Sequence, residues 1–566
     1  MKHYRDFFYI FVIILLGLFA IKALFHSGFY TSLDGWHNIA RLYHFHKALT
    51  HGQIPPRWVA DLANGYGYPL FIFSYHAPWI LAEPFLRLGF SIFASIKIVL
   101  ALGFIFSGVF MYLWLKDVFG KEGGLLAGII YMWAPYRFAK IFVGASVGEA
   151  TVFLFLPLLF WGIQRLLKNQ VLSGIIIAAV GLAGIILSHF IILPLLLFFV
   201  LVFMLSIFLQ AKKQRVFFWR VVAIFLLGLG LACYYWLPLV VYSRYTLAEV
   251  SKAGFATLYK DHLISFSQLI YSRWGYGPIV HSAKDGEVSF QLGIVQWIVY
   301  FGSIIFLFRR FFGQHKNRRY LALVSLVCMS VAIFFSLDIS QASWEVISRF
   351  VVIDYPWRLL ATATFFAAIL SGFFVSVVKK YGIILVLVLT VVALYSNRNH
   401  LRVNQYTDLP LSLYITSETT TNTFAEYLPR WQKVDINKKV QGAFAANDDL
   451  EVKQLWQNSW MLTAEVVAKK PTSVIINQLH FPGQTLYLDS KYKNHEYLGD
   501  GRITFPLTTG MHSIKLVYEQ TPLMQLSNGI SLLSLVLVGI LILGSLKNRD
   551  HLFSHKSAKD ASYHRE

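Results

Sequence analysis

Stretches of roughly 20 apolar residues, each long enough to carry a helix across about 30 Å of hydrocarbon, recur from one end of this chain to the other. They cover 7–25, 91–115, 122–138, 150–166, 171–187, 190–209, 217–239, 291–308, 320–337, 358–377, 381–396 and 526–546. A bilayer core offers no water to backbone N–H and C=O groups, so runs of this kind are confined to helices that satisfy themselves. Composition points the same way: 56% of the 566 residues are hydrophobic and 14% charged, against nearer a quarter charged in soluble domains. The expected fold is a polytopic α-helical membrane protein with about 12 transmembrane helices.

A formal net charge of +21 would suggest nucleic acid in a soluble protein. Here the basic residues sit in short loops between apolar runs, where topology demands them, and nucleic acid is not expected as a partner. Cys233 and Cys328 both fall inside apolar runs, so no disulfide framework is implied. The first run is long for a signal peptide and lacks a small-x-small cleavage site, which makes it an uncleaved first helix.

Lysine and arginine mark cytoplasmic loops. Lys2 and Arg5 place the N-terminus inside, and the loops KDVFGKE, QRLLKNQ, QAKKQRVFFWR, RRFFGQHKNRR and VKK, with the tail 547–566, follow it there. The segment 69–90 has two internal prolines and Glu83. Counting it as a crossing would throw the most basic loops outside, so it is expected to be re-entrant or interfacial within a long first external loop, 26–90. The transmembrane domain then spans 1–396. Residues 240–290 and 338–357 form further external loops, and 526–546 is the final helix. Between the last two helices, 397–525 alternates β-branched and aromatic residues with Gly, Asn and Pro turns, the pattern of an extracytoplasmic β-rich, sandwich-like domain.

Chemistry-bearing residues gather where the chain first leaves the bilayer. Read as a helix, 34–48 puts Asp34, His37, Arg41 and His44 within an arc of about 80°, opposite Trp36, Ile39 and Tyr43. Two accounts of Asp34 stand: a helix N-cap on an interfacial amphipathic helix, or a functional carboxylate. Glu149 follows Ser146 at capping-box spacing, yet it would share the external face with Asp34 as a second catalytic acid. Tyr66, Tyr68, Tyr75 and His76 crowd NGYGYPLFIFSYHAPW, either as an aromatic belt or as a stacking platform for sugars. Arg137, Lys140, Arg244, Arg273, Arg349 and Arg358 lie near the outer interface against the positive-inside trend. Snorkelling accounts for some of them; Arg349 and Arg358, the latter in DYPWR, are the candidates for binding phosphate. His189 reads as a structural histidine. The histidines of the first loop hint at a divalent metal ion, but no zinc-ligand spacing is present. No P-loop, GxSxG or dinucleotide fingerprint occurs.

An acid in the first external loop of a polytopic protein resembles the GT-C superfamily of membrane glycosyltransferases. SLDGWHNIARLYHFHKAL, NGYGYPLFIFSYHAPW, GASVGEATVFLFLPLLFW, ILSHFIILPLLL, YYWLPLV, VSFQLGIVQW and YPWRLLATATFF resemble the bacterial YfhO-like, or 6-pyruvoyl-tetrahydropterin synthase-related, integral membrane proteins. FPGQTLYLDSK and ITFPLTTGMHSIKLVYEQTP fit that family's external β-domain. The resemblance runs over nearly the whole chain and implies a polyprenyl-phosphate sugar donor, transfer on the outer face of the cytoplasmic membrane, and a glycopolymer or lipid-linked acceptor. Asp34 matches the first-loop acid and Glu149 a second acidic position. A lone Asp stands where a paired acidic motif would be, which leaves metal use open.

Inverting transfer needs one carboxylate to deprotonate the acceptor hydroxyl and positive charge to stabilise the leaving phosphate. The expectation is therefore a GT-C-type glycosyltransferase with Asp34 as base or orienting acid. His37, Arg41 and His44 would line the same site. A transporter or flippase for a lipid-linked glycan is the main rival, disfavoured because the spans carry almost no charge and no repeat. A non-catalytic membrane scaffold is the third possibility.

Overall fold

The structure, a computed structural model, describes residues 2–189, 193–248, 258–276, 288–309, 316–350, 355–422 and 425–563. Asp354 of DYPWR, parts of the 240–290 loop, and most of the 309–319 basic loop lie outside the described residues.

A helix occupies each apolar run. In chain order the helices are α1 (Lys2–Ala20), α2 (Gly35–Thr50), α3 (Ala77–Arg87), α4 (Ile92–Phe119), α5 (Lys121–Met132), α6 (Val147–Leu167), α7 (Val171–Ser188), α8 (Leu193–Phe208), α9 (Gln214–Leu231), α10 (Cys233–Tyr242), α11 (Ile294–Arg309), α12 (Lys316–Ser336), α13 (Leu359–Val377), α14 (Gly382–Asn397) and α15 (Pro522–Tyr563). Eight of them (α4, α6, α7, α9, α12, α13, α14 and α15) are long and apolar enough to cross a bilayer, and α8 and α11 are shorter apolar helices. The remaining two of the twelve runs are held by α1 and α5.

Two runs prove longer than their helices. The run 122–138 stops being helical at Met132, and Trp133–Ser146 turns back through Pro135 and a π-helical turn at Ala139–Val143. These residues are apolar because they are buried in protein, not because they face lipid. The run 217–239 divides at Ala232 into α9 and α10. The segment 69–90 forms a single turn at Leu70–Phe73 followed by α3. At 11 residues and about 1.5 Å per residue, α3 is far too short to span.

The C-terminal strands make two antiparallel sheets. One has the order β3 (Leu450–Gln457), β4 (Met461–Ala468), β10 (Gly510–Tyr518), β6 (Gln484–Leu488), β7 (Lys491–Lys493), and the other β5 (Thr472–Leu479), β9 (Arg502–Leu507), β8 (Glu496–Tyr497). Leu462, Ala464, Val466 and Ile514 from the first sheet meet Val474, Ile476, Ile503 and Phe505 from the second in one buried core, the alternation expected of packed sheets. The sandwich begins only at Leu450. The described residues of 398–449 instead form a connector across the 26–90 segment: β2 (Tyr406–Thr407) pairs with β1 (Phe29–Tyr30), and a short helix at Leu411–Ser417 packs on α2, with Trp36 against Tyr414.

Candidate active site

Asp34 is positioned by backbone. The N–H of Leu33 donates to the Val143 carbonyl and the N–H of Asp34 to the Gly144 carbonyl, each at 2.9 Å. The Tyr30 hydroxyl donates to Ile141 O at 2.6 Å, and Asn38 Nδ2 to Ala145 O at 2.9 Å. The start of α2 is thereby strapped to the turn before α6, where Ser146 and Glu149 wait. π-helical turns of this kind are found disproportionately at functional sites.

Neither cap forms. Asp34 stands at the N-cap position of α2 but has helical φ/ψ (−106°, −4°) and makes no side-chain cap bond, whereas capping needs extended backbone there. Its Oδ2 accepts instead from Ser146 Oγ at 2.8 Å. Ser146 in turn does not cap α6. Glu149, 2% exposed, accepts from Lys140 Nζ at 2.7 Å and from the Tyr136 hydroxyl at 2.9 Å, with Arg358 Nε 3.8 Å away. The Ser-x-x-Glu spacing that looks like a capping box thus serves a cross-chain polar cluster.

A cavity of about 350 Å³ brings Asp34, His37, Tyr75, Lys140, Glu149, His189 and Arg358 together, with Tyr136, Tyr355 and Trp357 as aromatic wall. Lys140 Nζ lies 4.3 Å from the Trp357 ring centroid, and the Arg358 guanidinium carbon 5.0 Å from that of Tyr355, distances at which cation and π-face attract. Burial draws the Lys140 ammonium below its usual pKa while Glu149 pulls the other way. Burial, aided by the Arg358 charge, pushes His189 down to about 3, so it is a neutral imidazole. Gly148 makes room for it: a Cβ there would sit 2.8 Å from Ser188 O and 2.9 Å from His189 Cδ2. Tyr75 stacks on His189 and donates to Asn38 Oδ1 at 3.0 Å.

The remaining predicted residues are elsewhere. Arg41 does not face the cavity; it donates to Thr421 Oγ1 and to the Thr421 carbonyl and lies 5.6 Å over the Tyr75 ring, pinning the connector to α2. His44, though on the same helical arc, opens on a different cavity, because α2 is wrapped by the connector along that face. Tyr68 is fully buried, its hydroxyl accepting from Tyr427 N–H. Tyr66 is half-buried, its carbonyl accepting from Leu479 N–H. His76 is buried against Phe71 O at 2.8 Å and driven down to about 3 by burial. These three make packing around the first loop, not a stacking platform. Arg349 is exposed and lines neither cavity. Sequence reasoning assigned no site role to Tyr136, Ser146 or Trp357, and discounted Lys140 and His189. The signal available for Lys140 was its place among external cations.

Among the described residues, no three His, Cys, Asp or Glu converge as a metal site. Glu149, one of the two acids such a site would draw on, already accepts from Lys140 at Oε1 and from Tyr136 at Oε2.

No family model matches the chain. It is similar to an uncharacterized protein of Lactococcus lactis subsp. cremoris (strain MG1363), 28% identical over 189 residues, which is 32% of this chain and 30% of that one. Among solved structures it is similar to the archaeal oligosaccharyltransferase AglB from Archaeoglobus fulgidus in complex with an inhibitory peptide and a dolichol-phosphate, at 11% identity and a TM-score of 0.42, covering 72% of this chain and 57% of that one. The apo form of the Archaeoglobus fulgidus oligosaccharyltransferase gives 12% identity and a TM-score of 0.39 over 71% and 56%. The chain therefore spans little more than half the length of these structures and under a third of the curated relative. What the site can do has to follow from its own residues.

Proposed function

We propose that the protein is a membrane glycosyltransferase of the GT-C kind, moving a sugar from a polyprenyl-phosphate donor to an envelope or cell-wall acceptor on the outer face of the cytoplasmic membrane. One observation carries this: a carboxylate with an open oxygen and a pair of buried, aromatic-backed cations line the same cavity. Among the described residues Asp34 accepts only at Oδ2, which leaves Oδ1 to an acceptor hydroxyl. Lys140 and Arg358 pair with Glu149 and place positive charge where a phosphate would sit.

In the reaction, Asp34 takes the proton of the acceptor hydroxyl as its oxygen attacks the anomeric carbon. The bond from that carbon to the lipid phosphate breaks, and the phosphate leaves with the electron pair. Lys140 and Arg358 stabilise the charge it gains. A phosphate leaving group is a weak base and needs no general acid, so a second free carboxyl is not required. Two carboxylates acting as acid and nucleophile would be the arrangement of a glycosidase, and Glu149 is too heavily bonded for either part. Glu149 is a positioning residue, and the aromatic wall suits the face of a sugar ring. The resemblance of the opening loop to GT-C enzymes supports the same assignment.

The test replaces Asp34 with Asn or Ala, verifies membrane insertion and folding, and follows sugar incorporation into envelope polymers. Loss of incorporation is expected; unchanged glycosylation would sink the assignment.

A further inference from the structure

A second cavity, of about 720 Å³, lies between α2 and the sandwich, within the ~300–1,000 Å³ range of small-molecule sites. Its lining is unusual for an interdomain gap. Five residues with amide side chains line it: Asn64, Gln457, Asn458, Asn477 and Gln478, of which Asn477 donates to Gly442 O and accepts from Arg502 Nη1. Asn64 Nδ2 is used by Ile436 O, and Asn458 Oδ1 by two backbone N–H groups. Among the described residues, Asn64 Oδ1, Asn458 Nδ2 and both ends of Gln478 have no protein partner. Adjacent amide donors and acceptors match the vicinal hydroxyls of a sugar, each of which donates and accepts.

His44 is the second sign of a missing ligand. It is 2% exposed on this cavity's wall; Nδ1 lies 3.8 Å from Asp61 Oδ2, and neither ring nitrogen has a partner within hydrogen-bond distance among the described residues. A buried, unsatisfied polar group costs stability unless something bonds to it. Burial drives its pKa down to about 4, so at neutral pH one nitrogen donates and the other accepts. The charges on the wall balance: Lys47 and Lys439 against Asp61 and Glu418. Lys47 is paired with Asp61 at 2.7 Å. A neutral occupant suits this wall better than an anionic one.

The two cavities adjoin. Glu418 lines this one and His37 the Asp34 cavity, and they meet at 2.7 Å between Oε2 and Nδ1. Resting on the glycosyl-transfer reading, we propose that this cavity binds the acceptor, an uncharged oligosaccharide held by the amide wall and His44, whose terminal hydroxyl reaches Asp34 past the His37–Glu418 pair. The connector is then part of the acceptor site, and acceptor binding is separable from chemistry.

The experiment uses full-length protein in lipid nanodiscs, so that no alkyl-glycoside detergent competes. Saturation-transfer NMR and titration probe it with maltotetraose, cellotetraose and chitotetraose, and with oligogalacturonate of the same length as the anionic comparison. At least one neutral probe is expected to bind. Both H44F and the near-isosteric Q478L should weaken it about tenfold, the scale of one lost hydrogen-bonding partner. Absence of binding by every neutral probe, equal binding by H44F and Q478L, or equal binding of oligogalacturonate overturns the proposal. The transfer reading fails on a different readout, unchanged sugar incorporation by D34N, so the two failures are distinguishable.

Discussion

Asp34 and Glu149 are two carboxylates in one cavity, and their roles differ by how many of their oxygens the protein has already used. Glu149 is 2% exposed and balances Lys140 and Arg358, whose side chains are only 11% and 13% exposed. Glu149→Gln removes the carboxylate that Lys140 bonds at 2.7 Å, and breaking a buried pair in this way costs about 3–5 kcal/mol. A drop of that size in unfolding free energy should appear in denaturant or thermal melts of the purified protein. Asp34→Asn keeps an oxygen for Ser146 Oγ, so stability should hardly move while transfer falls about 10²–10⁴-fold, the usual contribution of a general base. A single-turnover assay alongside a melt separates the two substitutions. Asp34 was legible in the sequence, but its cap and catalytic roles were not separable there. The separation rests on a bond to Ser146, 112 positions away, which no local spacing reports. Lys140 and His189 were passed over for the same reason: a cation or imidazole near a helix end is ordinary until the carboxylate facing it is known.

At the scale of elements, the site exists because α6 and α7 approach closely at one end. Gly148 faces Ser188 O and His189 at distances no Cβ can occupy without movement. Gly148→Val should therefore push the end of α7 away and narrow the cavity. Overpacking of this kind typically costs about 1–3 kcal/mol, so a lowered melting temperature is expected with a raised KM for the proposed lipid donor. An unaltered KM would mean the α6–α7 spacing does not shape the donor site. Helix positions were readable from the apolar runs because bilayer burial imposes its own length. The break at Trp133–Ser146 was not, since residues buried in protein are as apolar as residues facing lipid. The sandwich announced itself by alternation within 397–525, but its start at Leu450 did not. The connector before it has no period, and only its contacts with α2 reveal its function.

Over the whole molecule, several imidazoles are buried neutral outside the helical spans. His44 and His480 are held down to about 4 and His76 to about 3, each chiefly by burial, from an unfolded value of 6.5. Between about pH 6.5 and those values the unfolded chain binds more protons than the folded one, so stability rises with pH there. The melting temperature should be level above about pH 6.5 and fall as pH drops toward 4. A profile flat across that window would contradict the burial of these rings.

Contacts across the fold also constrain its path through the bilayer. His37 touches Glu418 and Arg41 touches Thr421, so α2 and the connector lie on one face and an even number of crossings separates them. The helices of the apolar runs between them are α4 to α9 and α11 to α14, ten in all. The path we propose takes each of these ten runs as a crossing and α3 as none. The path we propose therefore puts the connector outside with α2, and Lys212, reached after the five crossings α4 to α8, inside. Cys233 and Cys328 are buried, leaving single introduced cysteines to report sidedness. In intact cells, Lys438→Cys, on a side chain 83% exposed, should react with a membrane-impermeant maleimide, and Lys212→Cys should react only after permeabilisation. Labelling of Lys212→Cys in intact cells would reverse the path and place the Asp34 cavity on the cytoplasmic face, where a nucleotide-linked donor, not a lipid-linked sugar displayed outside, would have to supply it.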